Sequence, residues 1–172
     1  MRALVASMSF LLFLFVSSPV FAQSADTLIE QGRELYDQEE YSQALENFNR
    51  AIKTDPRNAK ANYHRAKALY KLEKYPEALE GFNRAVSLKN DYHKAYYRRG
   101  KTFYKLGSYT EAVADYTKAI EIKEDYAKAF YRRGIARLAM EDTSGALKDI
   151  QAAAQFGKTK AVELLEEMEG QN

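Results

Sequence analysis

The residues best placed to do chemistry in this chain are cations and phenols set three and four apart. Lys60, Tyr63, His64 and Lys67 recur 34 residues later as Lys94, Tyr97, Arg98 and Lys101, and once more as Lys128, Tyr131 and Arg132. On a helix such residues share one face. Ammonium, phenol and guanidinium groups on one face hold carboxylates through charge-assisted hydrogen bonds; they do not make or break bonds. The competing reading is a solvated helix face, where exposed cations contribute little. Recurrence in three places favours contact with a ligand.

Bond-making chemistry has no candidate. There are two histidines, His64 and His93, far apart in the chain, and no cysteine. That excludes disulfides and thiolate sites and leaves no usual zinc set, so His64 reads as a groove residue rather than a metal ligand. No phosphate-binding or dinucleotide glycine loop and no nucleophile motif is present. Glu111, Asp115 and Asp149 lie among lysines at helix-surface spacing, the pattern of solvated pairs rather than of an acid/base couple. The expectation is a chain with no enzymatic activity, no cofactor and no metal. A net charge of +2 over 172 residues falls short of a nucleic-acid footprint.

The cations are positioned by a period. Lys94-Ala-Tyr-Tyr-Arg-Arg-Gly100 returns as Lys128-Ala-Phe-Tyr-Arg-Arg-Gly134, with a looser form at Lys60-Ala-Asn-Tyr-His-Arg-Ala66. Four units follow, 25–58, 59–92, 93–126 and 127–160. Each has a small residue at its eighth place (Gly32, Ala66, Gly100, Gly134). Each has alanine at the twentieth (Ala44, Ala78, Ala112, Ala146) and the twenty-seventh (Ala51, Ala85, Ala119, Ala153). A large residue stands at the twenty-fourth (Phe48, Phe82, Tyr116, Ile150). Small residues let two antiparallel helices approach, and the large ones fill the grooves between them. Only 8 glycines and 3 prolines agree with long helices.

Local signals place the helix ends. Thr27-Leu-Ile-Glu30 and Ser108-Tyr-Thr-Glu111 have the form of capping boxes, the first opening a helix that runs to about Gln38. Pro76 falls in a first turn, where proline is tolerated. Asp55-Pro56 stops a helix, and Gly107-Ser108 and Glu141-Asp142 mark tight turns. Arg65, Arg99 and Arg133 read as structural, paired with acids of an adjacent helix. The stretch 159–169 puts Val162, Leu164, Leu165 and Met168 on one side, as a helix capping the last unit would; docking on a partner is the rival reading.

This four-fold register resembles the tetratricopeptide repeat, over residues 25–160. The resemblance implies an all-α, right-handed α-solenoid of helix-turn-helix repeats with a C-terminal capping helix. It also implies that the first helices line a concave groove. Lys60, Tyr63, His64, Lys67, Lys94, Tyr97, Arg98, Lys101, Lys128, Tyr131 and Arg132 then form a basic, tyrosine-lined site for an extended or acidic, carboxylate-bearing peptide of a protein partner. Two departures bear on packing. Pro56 has no later counterpart, its places holding Asn90, Glu124 and Lys158, and Arg137 stands where a large apolar group is usual. Co-chaperone members clamp a terminal carboxylate. Lys94/Arg98 and Lys128/Arg132 match one half of that clamp. Its other half is missing, with Ile29, Arg33 and His64, or Tyr63, Lys67 and Arg98, in those places.

Residues 1–22 are a separate object. Arg2, the apolar run 3–16 and a Val20/Ala22 cleavage pattern predict a signal peptide and an exported chain, most simply periplasmic and otherwise secreted. An uncleaved segment anchoring the chain in a membrane is the alternative. In the folded part charge is segregated. Unit one carries 4 basic and 8 acidic residues, units two to four 7 and 4, 7 and 5, and 7 and 3, and residues 161–172 carry four glutamates. Acidic ends and a basic middle also suit self-association between copies.

Overall fold

The computed structural model describes residues 23–169. The signal peptide expected over 1–22 lies outside the described residues. Among those described, nine helices and no strand are present. Helices α1 (Ala25–Asp37) and α2 (Tyr41–Thr54) form the first antiparallel pair; α3 (Ala59–Lys71) and α4 (Tyr75–Leu88) form the second. Next come α5 (His93–Lys105) with α6 (Tyr109–Ile122), α7 (Ala127–Leu138) with α8 (Thr143–Gln155), and finally α9 (Thr159–Glu169). The two helices of a pair pack most closely on each other, and the second helix of each pair packs next on the helix that follows it. No described helix is long and apolar enough to cross a membrane.

Close approach within each pair is a matter of side-chain size. The two alanine rows and Phe48, Phe82, Tyr116 and Ile150 have no exposed surface. A Cβ built on Gly32 would lie 2.5 Å from Phe48 Cε1, and one on Gly100 or Gly134 would lie 2.9 Å from Tyr116 or Ile150. The second pair solves the same contact in reverse. Ala66 carries the methyl, and Gly81 opposite makes room for it, since a Cβ there would come within 2.9 Å of Ala66 Cβ.

The turn inside each pair is the same turn four times. Glu39, Glu73, Gly107 and Glu141, at equivalent places, all have left-handed φ angles of 65°, 60°, 79° and 63°. In each case the next residue's N–H reaches back to a carbonyl in the last helical turn: Glu40 to Leu35, Lys74 to Leu69, Ser108 to Phe103, and Asp142 to Arg137, at 2.9–3.0 Å. This is a Schellman closure. Three of the four units hold it with glutamate rather than glycine, so the turn does not depend on Gly107. Between pairs, α2, α4 and α6 end on Asp55, Lys89 and Lys123 with nearly identical extended geometry (φ −136°, −143°, −135°). The loss of proline after the first unit does not blunt these ends.

Three local expectations are corrected. The first helix is capped not by Thr27 but by Ser24, whose Oγ accepts from Thr27 N–H at 3.1 Å; Glu30 is taken by Arg33 at 2.7 Å. Ser108 does precede α6, but its side chain makes no capping bond. In α9 the residue turned inward is Ala161, while Val162 is 43% exposed. Leu164, Leu165 and Met168 pack with Ala161 on the cluster of Ala146, Ile150 and Ala153. Arg137 fits among apolar equivalents because its guanidinium is satisfied, donating to Asp149 Oδ2 at 2.8 Å and to the Gly145 carbonyl at 3.2 Å.

Candidate functional site

The first helices of successive pairs, α1, α3, α5 and α7, touch one another, while the second helices make no comparable contact. The stack therefore curves with its first helices inside. Along that inner face run four cavities of about 340, 320, 250 and 230 Å³. Every residue of the cationic pattern lines at least one of them. Lys60, Tyr63, His64, Lys67 and Lys94 wall the first; Tyr63, Lys94, Tyr97, Arg98, Lys101 and Lys128 the second. Tyr97, Lys128, Tyr131 and Arg132 wall a third, and Lys101 and Arg132 belong to the fourth. Shared walls make the four a continuous groove.

Register along the helix decides what each side chain does. Lys60, Lys94 and Lys128, at the second place of their units, are exposed on the lip, whereas Lys67 and Lys101, at the ninth, are half-buried. Each of these deeper ammonium groups sits over a tyrosine of the preceding unit: Lys67 Nζ is 4.1 Å from the Tyr36 ring centroid, and Lys101 Nζ is 5.1 Å from that of Tyr70. A ring face attracts a cation at such distances. Burial, reinforced by Arg98, holds both lysines down at about 8. Both are mostly charged at neutral pH; Lys67 has Asp37 nearby, whereas the cavities that Lys101 lines have no carboxylate in their walls.

His64 behaves differently from the arginines that replace it. Its ring stacks on Phe48 at 5.5 Å and meets Tyr63 edge-on at 5.1 Å. Burial, with Lys67 and Arg33 nearby, keeps its pKa down at about 3. In the groove it is a neutral aromatic wall. Tyr63 is itself buried, with Tyr92 at 4.9 Å between ring centroids.

Sequence reasoning missed a second tyrosine series. Tyr36, Tyr70 and Tyr104 stand at the twelfth place of their units and pair with Tyr41, Tyr75 and Tyr109 across the turn at 5.2–5.3 Å. Tyr92 and Tyr126 close units two and three and also line the groove. The signal was available: both sets repeat at the 34-residue period. Arg33, Lys105, Lys158 and Lys160 join the wall as well.

The carboxylates correct the reading of solvated pairs. Asp115 and Asp149 are 5% and 3% exposed. Arg99 donates to both oxygens of Asp115 at 2.8 and 2.7 Å, and Arg133 to both of Asp149 at 2.9 and 2.7 Å. The third nitrogen of each guanidinium crosses to the previous unit, Arg99 to Asn83 and Arg133 to Thr117, both at 2.9 Å. These arginines pin consecutive units together behind the groove. Arg65 breaks the expected series. Gly81 stands where the aspartate would be, and Arg65 Nε is buried without a partner.

Models of the tetratricopeptide repeat match residues 29–93 and, as a second repeat model, 100–140. The crystal structure of MamA is similar at 26% identity, with a TM-score of 0.74 and 80% of each chain covered. The first TPR of Spaghetti (RPAP3), bound to an HSP90 peptide, is 30% identical with a TM-score of 0.68, covering 70% of this chain and 95% of that one. The TPR domain of Arabidopsis OM64 is 26% identical with a TM-score of 0.65, over 66% and 94%. No curated protein sequence matches. Four paired-helix units in register, matched by these repeat models and these folds, place the chain in the tetratricopeptide repeat family.

Proposed function

We propose that this protein is a non-enzymatic interaction module that holds an extended, acidic segment of a partner protein in its inner groove. One observation carries this reading. Eleven cations and aromatics at repeating places line one continuous groove, and three of its four cavities have no carboxylate in their walls. An acidic peptide supplies the missing charge, and the tyrosines supply hydrogen-bond donors and apolar surface to its backbone and stems. The RPAP3 domain, similar over most of its length, is bound to the peptide SRMEEVD, which carries two glutamates and an aspartate. The clamp half that is replaced here by Tyr63, Lys67 and Arg98 argues for side-chain carboxylates along the groove rather than a clamped chain end. The apolar segment 3–16 with its cleavage pattern supports an exported scaffold, so the partner is a protein of the cell envelope, most simply periplasmic.

Fluorescence anisotropy of a labelled octaglutamate peptide tests the reading. The purified protein binds it in low salt and ignores octalysine, and Lys94→Glu/Arg98→Glu/Lys128→Glu weakens binding at least tenfold while remaining helical. Equal binding by the charge-reversed protein overturns it. The second reading is self-association of the acidic first unit with the basic middle of another copy, which the charge segregation favours; a dimer that salt dissociates would mark that case.

A further inference from the structure

The twenty-fourth place of each unit is a core place. Phe48, Phe82 and Ile150 fill it with hydrocarbon, and none has any exposed surface. Unit three alone puts a hydroxyl there. Tyr116 is equally buried, its ring packed over Gly100, and its hydroxyl finds no hydrogen-bond partner in the protein. Core packing explains the ring but not the oxygen, because phenylalanine serves at the same place in units one and two.

The residue borders a cavity. Tyr116 lies in the wall of the 250 Å³ chamber shared by α3, α5, α6 and α7, together with Tyr70, Lys101, Tyr104, Lys105 and Arg132. Its buried hydroxyl is influenced first by Tyr97 and then by Arg132, Tyr70 and Tyr104, and the last three stand in the chamber's wall beside it, so the oxygen lies just beneath that wall. Three cations and three phenols converge there, with no carboxylate in the wall. Lys101, which has Arg98, Arg132 and Lys105 as neighbours, is the half-buried member, held at about 8 chiefly by its burial. A buried hydroxyl donor among concentrated cations has one kind of complement, an oxyanion that accepts from the hydroxyl while neutralising the charge.

We infer that this chamber is a discrete oxyanion subsite, in which one side-chain carboxylate of the bound segment sits against Lys101, Lys105 and Arg132 and accepts a hydrogen bond from Tyr116. The inference rests on the proposed binding of an acidic segment and fixes where one of its acids goes. The site depends on a residue of a second helix, behind the face that the cationic stripe marks out. Unit three is therefore the anchoring point, and the other cavities provide contact along the chain.

The experiment uses the same labelled octaglutamate with three variants. Tyr116→Phe removes one oxygen and installs the residue found at positions 48 and 82. It weakens binding about tenfold, as loss of a hydrogen bond to a charged group does, and leaves the melting temperature unchanged or raised. Lys101→Met weakens binding to a similar degree. In Tyr116→Phe/Lys101→Met the losses fall short of multiplying, because both groups hold the same carboxylate. If the wild-type protein does not bind octaglutamate at all, the groove reading fails and takes the subsite with it. If wild-type binds, charge reversal abolishes binding and Tyr116→Phe binds like wild-type, the groove stands and the subsite is overturned, the hydroxyl being merely hydrated. Single losses that multiply in the double variant also overturn it. Should Tyr116→Phe lower the melting temperature, Lys101→Met decides alone: unaltered binding overturns the subsite.

Discussion

Unit two and unit four solve the same packing problem by opposite means. In unit four, Arg133 and Arg137 converge on Asp149 at 2.7–2.9 Å, with glycine at position 134 beneath Ile150. In unit two the equivalent arginine, Arg65, has Gly81 in the aspartate's place, and Ala66 uses the space that Gly81 leaves. The groove-facing place follows suit: Arg132 in unit four, the neutral ring of His64 in unit two. Unit four is locked by ionic pins and presents a permanent charge at that place. Unit two is locked by shape and presents a neutral ring there. A repeat therefore conserves geometry while the chemistry behind it changes, and substitutions at equivalent places have unequal effects.

The largest inequality is expected at the buried aspartates. Asp149→Ala strands two guanidiniums that are 13% and 26% exposed, and breaking a buried pair from one side costs about 3–5 kcal/mol. Asp115→Ala takes the carboxylate from Arg99 alone, which keeps its bond to Asn83 as Arg133 keeps its bond to Thr117, so without a second arginine the loss is smaller. Urea unfolding of the two variants measures this, and equal losses would show that Arg137 adds nothing to the pin. The triple variant Arg133→Met/Arg137→Leu/Asp149→Leu should recover most of the loss, since apolar replacement of a whole buried ionic group is often near neutral.

A middle-sized effect comes from converting one solution into the other. Gly81→Asp alone forces its Cβ to within 2.9 Å of Ala66 Cβ, and such overpacking costs about 1–3 kcal/mol. Ala66→Gly alone forfeits about 1 kcal/mol of helix propensity. Together they recreate the Gly100–Asp115 register and give Arg65 a carboxylate. A double-mutant cycle should show about 1–2 kcal/mol of favourable coupling; additive losses would mean that Arg65 cannot adopt the geometry of Arg99.

These contrasts also mark what the sequence could and could not disclose. The 34-residue period disclosed an all-helical array of paired units, because small and large residues at fixed places leave few ways to stack. It placed the cations on one face, since that needs only helical spacing. It misjudged Asp115 and Asp149, because a carboxylate among lysines looks solvated until the arginine sixteen residues earlier is seen to reach it. The same offset, applied to Arg65, points to Gly81 and would have warned that unit two differs. Glu39 and Glu73 hid their turns, where Gly107-Ser108 and Glu141-Asp142 marked theirs, since nothing in a glutamate announces a left-handed φ. Tyr116 read as one more core aromatic; that its hydroxyl lacks a partner is a fact of three dimensions.

The smallest effect is the most specific to the contrast between Arg132 and His64. In the unfolded chain an imidazole titrates near 6.5, whereas the folded protein keeps His64 neutral down to about 3, by burial and by Lys67, Arg33, Lys60 and Lys94 around it. Between those values the unfolded chain binds the extra proton, so stability is complete above pH 6.5 and declines as pH falls toward 3. At pH 5.5 the loss from this one group is about 1 kcal/mol relative to pH 7.5. Burial also lowers His93, in the same sense, so the wild-type curve alone does not isolate His64. His64→Gln keeps a polar side chain and removes the titration. The difference in unfolding free energy between pH 7.5 and 5.5 should be about 1 kcal/mol smaller in that variant than in the wild-type protein. Equal differences in the two would mean that His64 takes up its proton in the folded groove, and that unit two, like unit four, presents a cation to the ligand in mild acid.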